Sequence, residues 1–341
     1  MRKFFFGSCF FLLFLRSVAG NKEHKVAFDL DSTYINTYYN DLIIRIISVN
    51  NYNFVRICDT SNNNFNIRYR PNDYFNIGIG VNYKWFGINI GTKIPEFSRG
   101  NNLYGKSSKF GIQSYLYARK FTFDVMAIKN RGYYLSHDDN DLAEKVSPNN
   151  YYKRRDIKTY NFAFDMNYVV NNKKFSYKAA FKQNELQKQS AGSMLLGGAV
   201  YYLSADADSS FIPSMTSHQF FQEWRMLDGF KCYSINASVG YAYSFVPFKN
   251  WIATGSYRFS LGVQQSIWHF EGADTEHQIK PNRSGVLRLS AGYHFPWFYF
   301  GFSYVSYQQK LLPEKNSLQV LNGTNYTEIT LSRRIRLKKR R

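Results

Sequence analysis

Apolar and polar residues alternate through most of this chain, most strictly over residues 75–91. Phe75, Ile77, Ile79, Val81 and Tyr83 fall on one side of an extended chain, with Asn76, Gly78, Gly80, Asn82 and Lys84 on the other. After Lys84 and Trp85 the code restarts, setting Phe86, Ile88 and Ile90 against Gly87, Asn89 and Gly91. A period of two predicts strands with one greasy face, and two runs about a short break predict a hairpin. The same code recurs at Tyr160 to Val170, at Phe175 to Phe181 after "NNKK", at Ile235 to Phe245 and at Tyr257 to Ile267.

Pairing tests these phases. If Phe295 faces Phe298 across a turn, Tyr293 meets Phe300, Ala291 meets Phe302 and Leu289 meets Tyr304, while His294 meets Tyr299 and Ser290 meets Ser303. About Arg119 and Lys120, Leu116 meets Phe123 and Ser114 meets Val125. Phases assigned separately agree across each hairpin, as a pleated sheet requires. Short connections near Lys84, Arg119, Asn171, Pro247 and Pro296 largely alternate with long polar ones over about 92–107, 130–155, 269–284 and 310–324.

A soluble β-sandwich also alternates, but its strands run to about five or six residues. Runs of ten or more suit a tilted membrane strand. Thirteen runs lie between residues 64 and 336, with further candidates at 42–49, 52–58 and 217–226. Closed bacterial barrels use an even number. The expected fold is therefore all-β, an antiparallel transmembrane β-barrel of 12 to 16 strands in an up-and-down meander.

Composition fits that reading. Aromatic residues reach 19%, with 28 Tyr and 31 Phe, yet mean hydropathy is only −0.42. The opening "MRK", the apolar "FFFGSCFFLLFL" and the small-residue "RSVAG" resemble a secretory signal peptide cleaved after Ala19 or Gly20. Residues 1–20 are then leader and 21–341 one barrel domain, whose segment 21–63 carries the weakest pattern. The net charge of +20 loses Arg2, Lys3 and Arg16 with the leader and stays at +17. An exported basic chain is expected to meet lipopolysaccharide phosphates and outer-membrane lipids rather than nucleic acid, and to pass through the barrel assembly machinery. Cys9 lies in the leader, and Cys58 and Cys232 show no metal-ligand spacing; a disulfide and two unpaired thiols both remain open. No metal or cofactor is expected.

"YRPN", "GIGVNYKW" and the train of aromatic hairpins resemble an uncharacterised family of predicted outer-membrane barrels common in the Bacteroides group of Gram-negative bacteria. The likeness is most specific between Tyr69 and Gly91. It implies a barrel in the cell outer membrane and carries no activity with it. The closing "RRIRLKKRR" departs from the terminal aromatic usual in such barrels.

If the apolar face meets lipid, the lumen receives Arg68, Arg70, Arg119, Lys178, Arg258 and Arg288, with Asp124 and Asp165 as partners. Two readings stand side by side: a cationic lumen passing anionic solutes, or a small lumen filled by ion pairs. A long loop rich in tyrosine and charge at 130–156 offers a third role, surface binding. An outer-membrane lipid-modifying hydrolase is the least favoured role: Ser290 and His294 share a face, but four residues along a strand separate them by roughly 13 Å.

Overall fold

The computed structural model describes residues 30–60, 65–72, 75–93, 100–136, 151–214, 216–272, 275–311 and 318–337. The expected leader and the centre of the 130–156 loop lie outside them. The strands are β1 (Ile35–Thr37), β2 (Asp41–Asp59), β3 (Phe65–Arg70), β4 (Phe75–Tyr83), β5 (Phe86–Lys93), β6 (Ser108–Tyr117), β7 (Phe121–Leu135), β8 (Lys153–Val169), β9 (Glu185–Gln187), β10 (Ala191–Asp206), β11 (Leu227–Phe245), β12 (Trp251–Phe270), β13 (Glu276–His294), β14 (Phe298–Leu311) and β15 (Leu318–Arg336). Two short helices, α1 (Asn101–Tyr104) and α2 (Tyr177–Phe181), interrupt them.

The wall runs β2-β4-β5-β6-β7-β8-β10-β11-β12-β13-β14-β15 and closes where β15 pairs antiparallel with β2, from Leu318 opposite Asp59 to Arg336 opposite Asp41. It is a closed antiparallel meander of twelve strands. Closure gives every wall strand a hydrogen-bonded neighbour on each side, though β5 and β6 meet only over Phe86–Asn89 and Gln113–Leu116. The candidates at 42–49 and 52–58 are one strand, β2, which makes part of the weakly patterned segment essential to closure. The candidate at 217–226 is no strand: it holds turns and a 3-10 turn at Gln222–Trp224.

Both tested hairpins have the expected register, with Tyr293 opposite Phe300, His294 opposite Tyr299, Leu116 opposite Phe123 and Ser114 opposite Val125. The Phe295 and Phe298 rings stack at 3.9 Å beside the turn. Along β12, Tyr257, Phe259, Leu261 and Val263 are exposed on the outside while Arg258 and Ser260 are buried. The same outward set continues around the wall through Val239, Leu196, Ile79 and Phe302.

The long strands exceed the length that crossing a membrane requires. β12 has 20 residues and β2, β11, β13 and β15 have 19 each, where about 9–11 suffice to cross. In the extra length the chemistry inverts with no slip of register. β11 turns Asn236 and Ser234 inward and then Cys232 and Phe230; β15 turns Thr324 and Asn322 inward and then Val320 and Leu318. Strand β7 gets there differently, through a bulge at Gly132 (φ 86°) that lets Asn130 and Tyr133 both face in. With Phe211, Phe221 and Trp224 from the excursion between β10 and β11, these side chains form an apolar core inside the long-loop end. The expected loops are accordingly shorter: only 271–275 separates β12 from β13, and 312–317 separates β14 from β15. Polar outward residues made those strand extensions read as loop.

The barrel also tapers. Strand β4 reaches only Asn50 of β2; beyond it β3 pairs with Val55–Asp59 and then with β7 at Tyr69 opposite Leu135. One strand there replaces the three of β4, β5 and β6. Asn72, after Pro71, anchors the descent from β3 by donating from Nδ2 to the Gly105 carbonyl at 2.8 Å and from its backbone N–H to Ser107 Oγ at 2.7 Å.

Candidate functional site

The polar residues that alternation turns inward meet in the lumen, and their charges are matched. Arg258 on β12 grips both carboxylate oxygens of Asp165 on β8, with Nη1 2.5 Å from Oδ1. Asn167 donates from Nδ2 to the same Oδ1 at 2.9 Å and accepts from Arg258 Nη1 on its own Oδ1. Arg288 on β13 reaches across to Asp124 on β7 at 3.0 Å and also donates to the hydroxyls of Tyr307 (2.8 Å) and Tyr117 (3.2 Å). Tyr117 in turn donates to Asp124 at 2.9 Å. Arg45, which the sequence did not single out, pairs with Glu328 and donates to Tyr115 at 3.3 Å. A buried guanidinium is held by geometry of this kind, because isolated burial of the charge is prohibitive.

The short-turn end is stoppered from within. The chain after β8 does not turn at Asn171 into another wall strand, as the alternation of Phe175, Tyr177, Ala179 and Phe181 suggested. It folds into the lumen as α2, and residues 177–181 are all buried. Ser176 caps the helix, its Oγ accepting from the Ala179 N–H at 3.0 Å. Lys178 therefore lies inside, as expected, but on a helix. It faces Glu185 at 3.7 Å, and Arg119 reaches the same carboxylate at 2.5 Å. Strand β9 pairs with β1 to complete the stopper. Asn82 donates to the Lys182 carbonyl at 2.7 Å and Asn184 to the Lys84 carbonyl at 2.8 Å, tying stopper to wall. Lys182 belongs to this connection and not to a wall strand. Burial and repulsion from Arg45 push its ammonium down to about 7, and its Nζ sits 3.2 Å from the Tyr115 ring centroid.

Two of the lumen assignments are corrected. Ile67 and Tyr69 point inward and are fully buried, so Arg68 and Arg70 lie on the outer face. Strand β3 belongs to the extra length, where apolar means inward; its alternation was sound and its phase was inverted. The Arg68 guanidinium packs 5.3 Å from the Phe54 ring centroid. Arg119, Asp124, Asp165, Lys178, Arg258 and Arg288 are placed inside. Gly87 leaves room for one of the lumen aromatics: a Cβ there would lie 2.0 Å from the Tyr115 ring. A cavity of about 30 Å³ is bordered by Asn161, Tyr201, Ser284 and Asn322, room for about one water.

Ser290 and Ser303 face each other in register, and His294 Nδ1 meets Arg334 rather than a serine. Cys58 and Cys232 are buried and are not joined by a disulfide. Among the described residues no cluster of His, Cys, Asp and Glu has a metal-binding arrangement.

No curated protein matches the chain. Among solved structures it is similar to the outer membrane protease OmpT of Escherichia coli, at 9% identity over 88% of this chain and 98% of that one, with a TM-score of 0.38. It is also similar to the toluene transporter TodX of P. putida (7% identity, 88% and 91% coverage, TM-score 0.30) and to OmpT of Vibrio cholerae (10%, 89% and 100%, TM-score 0.29). The family model that matches, over residues 29–332, is the domain of unknown function DUF4421, and the chain belongs to that family.

Proposed function

We propose that this protein is a resident outer-membrane barrel with a filled interior, a structural barrel that presents a rigid cap beyond the membrane rather than an open pore. The outward band of exposed Tyr, Phe, Ile, Leu and Val supports membrane placement, since so much contiguous apolar surface is untenable in water. The observation that carries the filled reading is Arg288 bonded to Asp124 across the lumen, above a stopper and below an apolar core. Anion-biased passage, the other reading of the inward arginines, loses its basis when each of Arg119, Arg258 and Arg288 faces a carboxylate. The cap favours surface binding as the working role, because a barrel extended by a packed core holds its loops on a stiff base.

Planar-bilayer recording tests this. The folded barrel should insert without steady conductance. A persistent, anion-selective open level in the wild-type protein, weakened by Arg258→Ala, would restore the transport reading.

A further inference from the structure

Arg45, Arg119, Arg258 and Arg288 face carboxylates inside the wall, whereas Arg283 and Lys310 stand on its outside. Ser284 opposite Gln309 is the last pair in register between β13 and β14, and the next residue on each strand is Arg283 and Lys310. Both lie on the outer face, and among the described residues neither takes part in an ion pair. Lys310 is opposite Leu321, and Leu321 is opposite Arg56, so the next strands bring a third cation into the same row.

Directly beneath Arg283 and Lys310 the wall is dented. A groove of about 370 Å³ runs over β12 to β15, bedded on Tyr257, Phe259, Leu287 and Leu321. It exists because Gly285 and Ser306 interrupt the row of bulky side chains; Gly285 is opposite Phe259 on one side and Gln308 on the other. Below it continue the apolar residues that face the membrane, among them Leu289, Phe300 and Phe302. The shape is an apolar trough open toward lipid tails, with two adjacent positive charges at its long-loop end.

We infer that this groove binds a phosphate-bearing glycolipid of the outer leaflet, of the lipid A class, with Arg283 and Lys310 on the phosphate and Tyr257, Phe259, Leu287 and Leu321 along an acyl chain. Charge complementarity selects the phosphate, and continuity with the lipid-facing band selects a lipid over a soluble anion. The long-loop end, external in barrels of this type, selects the outer leaflet. The inference rests on the outer-membrane placement proposed above.

Native mass spectrometry of the detergent-folded protein provides the test, with lipid A, dephosphorylated lipid A and phosphatidylethanolamine as probes. Wild type should retain lipid A in preference to the other two. Arg283→Ala with Lys310→Ala should weaken retention about 25-fold, from roughly fivefold for each basic residue at an anionic surface. Leu287→Trp should weaken it as well, by filling the trough while keeping both charges. Equal retention of the dephosphorylated lipid, or full retention by the double variant, overturns the groove. The same samples are checked for β-rich circular dichroism and heat-modifiable migration in detergent. A chain recovered as a soluble monomer defeats the membrane placement itself, whereas a properly folded barrel indifferent to lipid A defeats only the groove.

Discussion

The guanidinium of Arg258 and the carboxylate of Asp165 meet face to face inside the barrel, 93 residues apart in sequence and on strands separated by two others in the wall. Their side chains are almost wholly buried, at 4% and 2% exposure. A pair held this way braces one side of the lumen against another, and its value lies less in net stability than in the penalty for breaking it.

Removing one partner should therefore be costly. Arg258→Ala leaves Asp165 charged and unmatched, and is expected to destabilise the barrel by about 3–5 kcal/mol. Replacing both together, Arg258→Met with Asp165→Leu, should recover most of that loss. Urea unfolding in detergent, followed by loss of heat-modifiable migration, measures both; additive losses in the double variant would show that the pair does not act as a unit.

The lipid-facing assignment predicts a depth profile on β11. Val239 lies midway between the outward aromatics Tyr233 and Phe245. Val239→Arg should cost roughly 2–4 kcal/mol at the midplane, and Phe245→Arg only about 0–1 near the interface. Equal costs at the two sites would mean that the girdle has been misplaced. Probes on single cysteines at Tyr257 and Ser260 should report lipid and lumen respectively.

Gly87 is expected to resist even alanine. A Cβ there would enter the Tyr115 ring, and that ring cannot move without losing the hydrogen bond from its hydroxyl to Asn82 and the one it accepts from Arg45. Gly87→Ala should cost about 1–3 kcal/mol, the usual range for overpacking, and combining it with Tyr115→Phe should cost less than the sum of the two single variants, because without its hydroxyl bonds the ring is free to shift. Unfolding midpoints of the single and combined variants check this.

Stability should rise with pH through Lys182. Its ordinary value of 10.5 falls to about 7 in the folded protein, so between those values the unfolded chain binds a proton that the folded one lacks. The slope is then positive across that window. Below about 7 both states carry the charge and its burial opposes folding; above 10.5 neither does. Lys182→Met should be more stable than wild type at pH 6, with the difference shrinking by pH 10. A pH-independent difference in thermal midpoint would remove Lys182 as the cause.

Local chemistry determined a great deal of this protein. Strand register depends only on which residues alternate about which turn, so the pairing of Tyr293 with Phe300 and of Leu116 with Phe123 was legible from the chain. The membrane-facing phase of β12 was legible for the same reason. Tertiary structure decided three things that a period of two cannot express. Alternation has no sign, so Ile67 and Tyr69 read as lipid-facing until β3 was placed in the extra length, where apolar side chains pack inward. Tyr177 to Phe181 alternates like a strand, but after β8 it has no free wall to join, because β8 is already paired on both sides by β7 and β10; the segment gains more by filling the lumen as a helix. Finally, Arg45 with Glu328 and Arg288 with Asp124 lie 283 and 164 residues apart. Only closure of the wall brings those charges together, and closure is what set a row of inward cations against carboxylates.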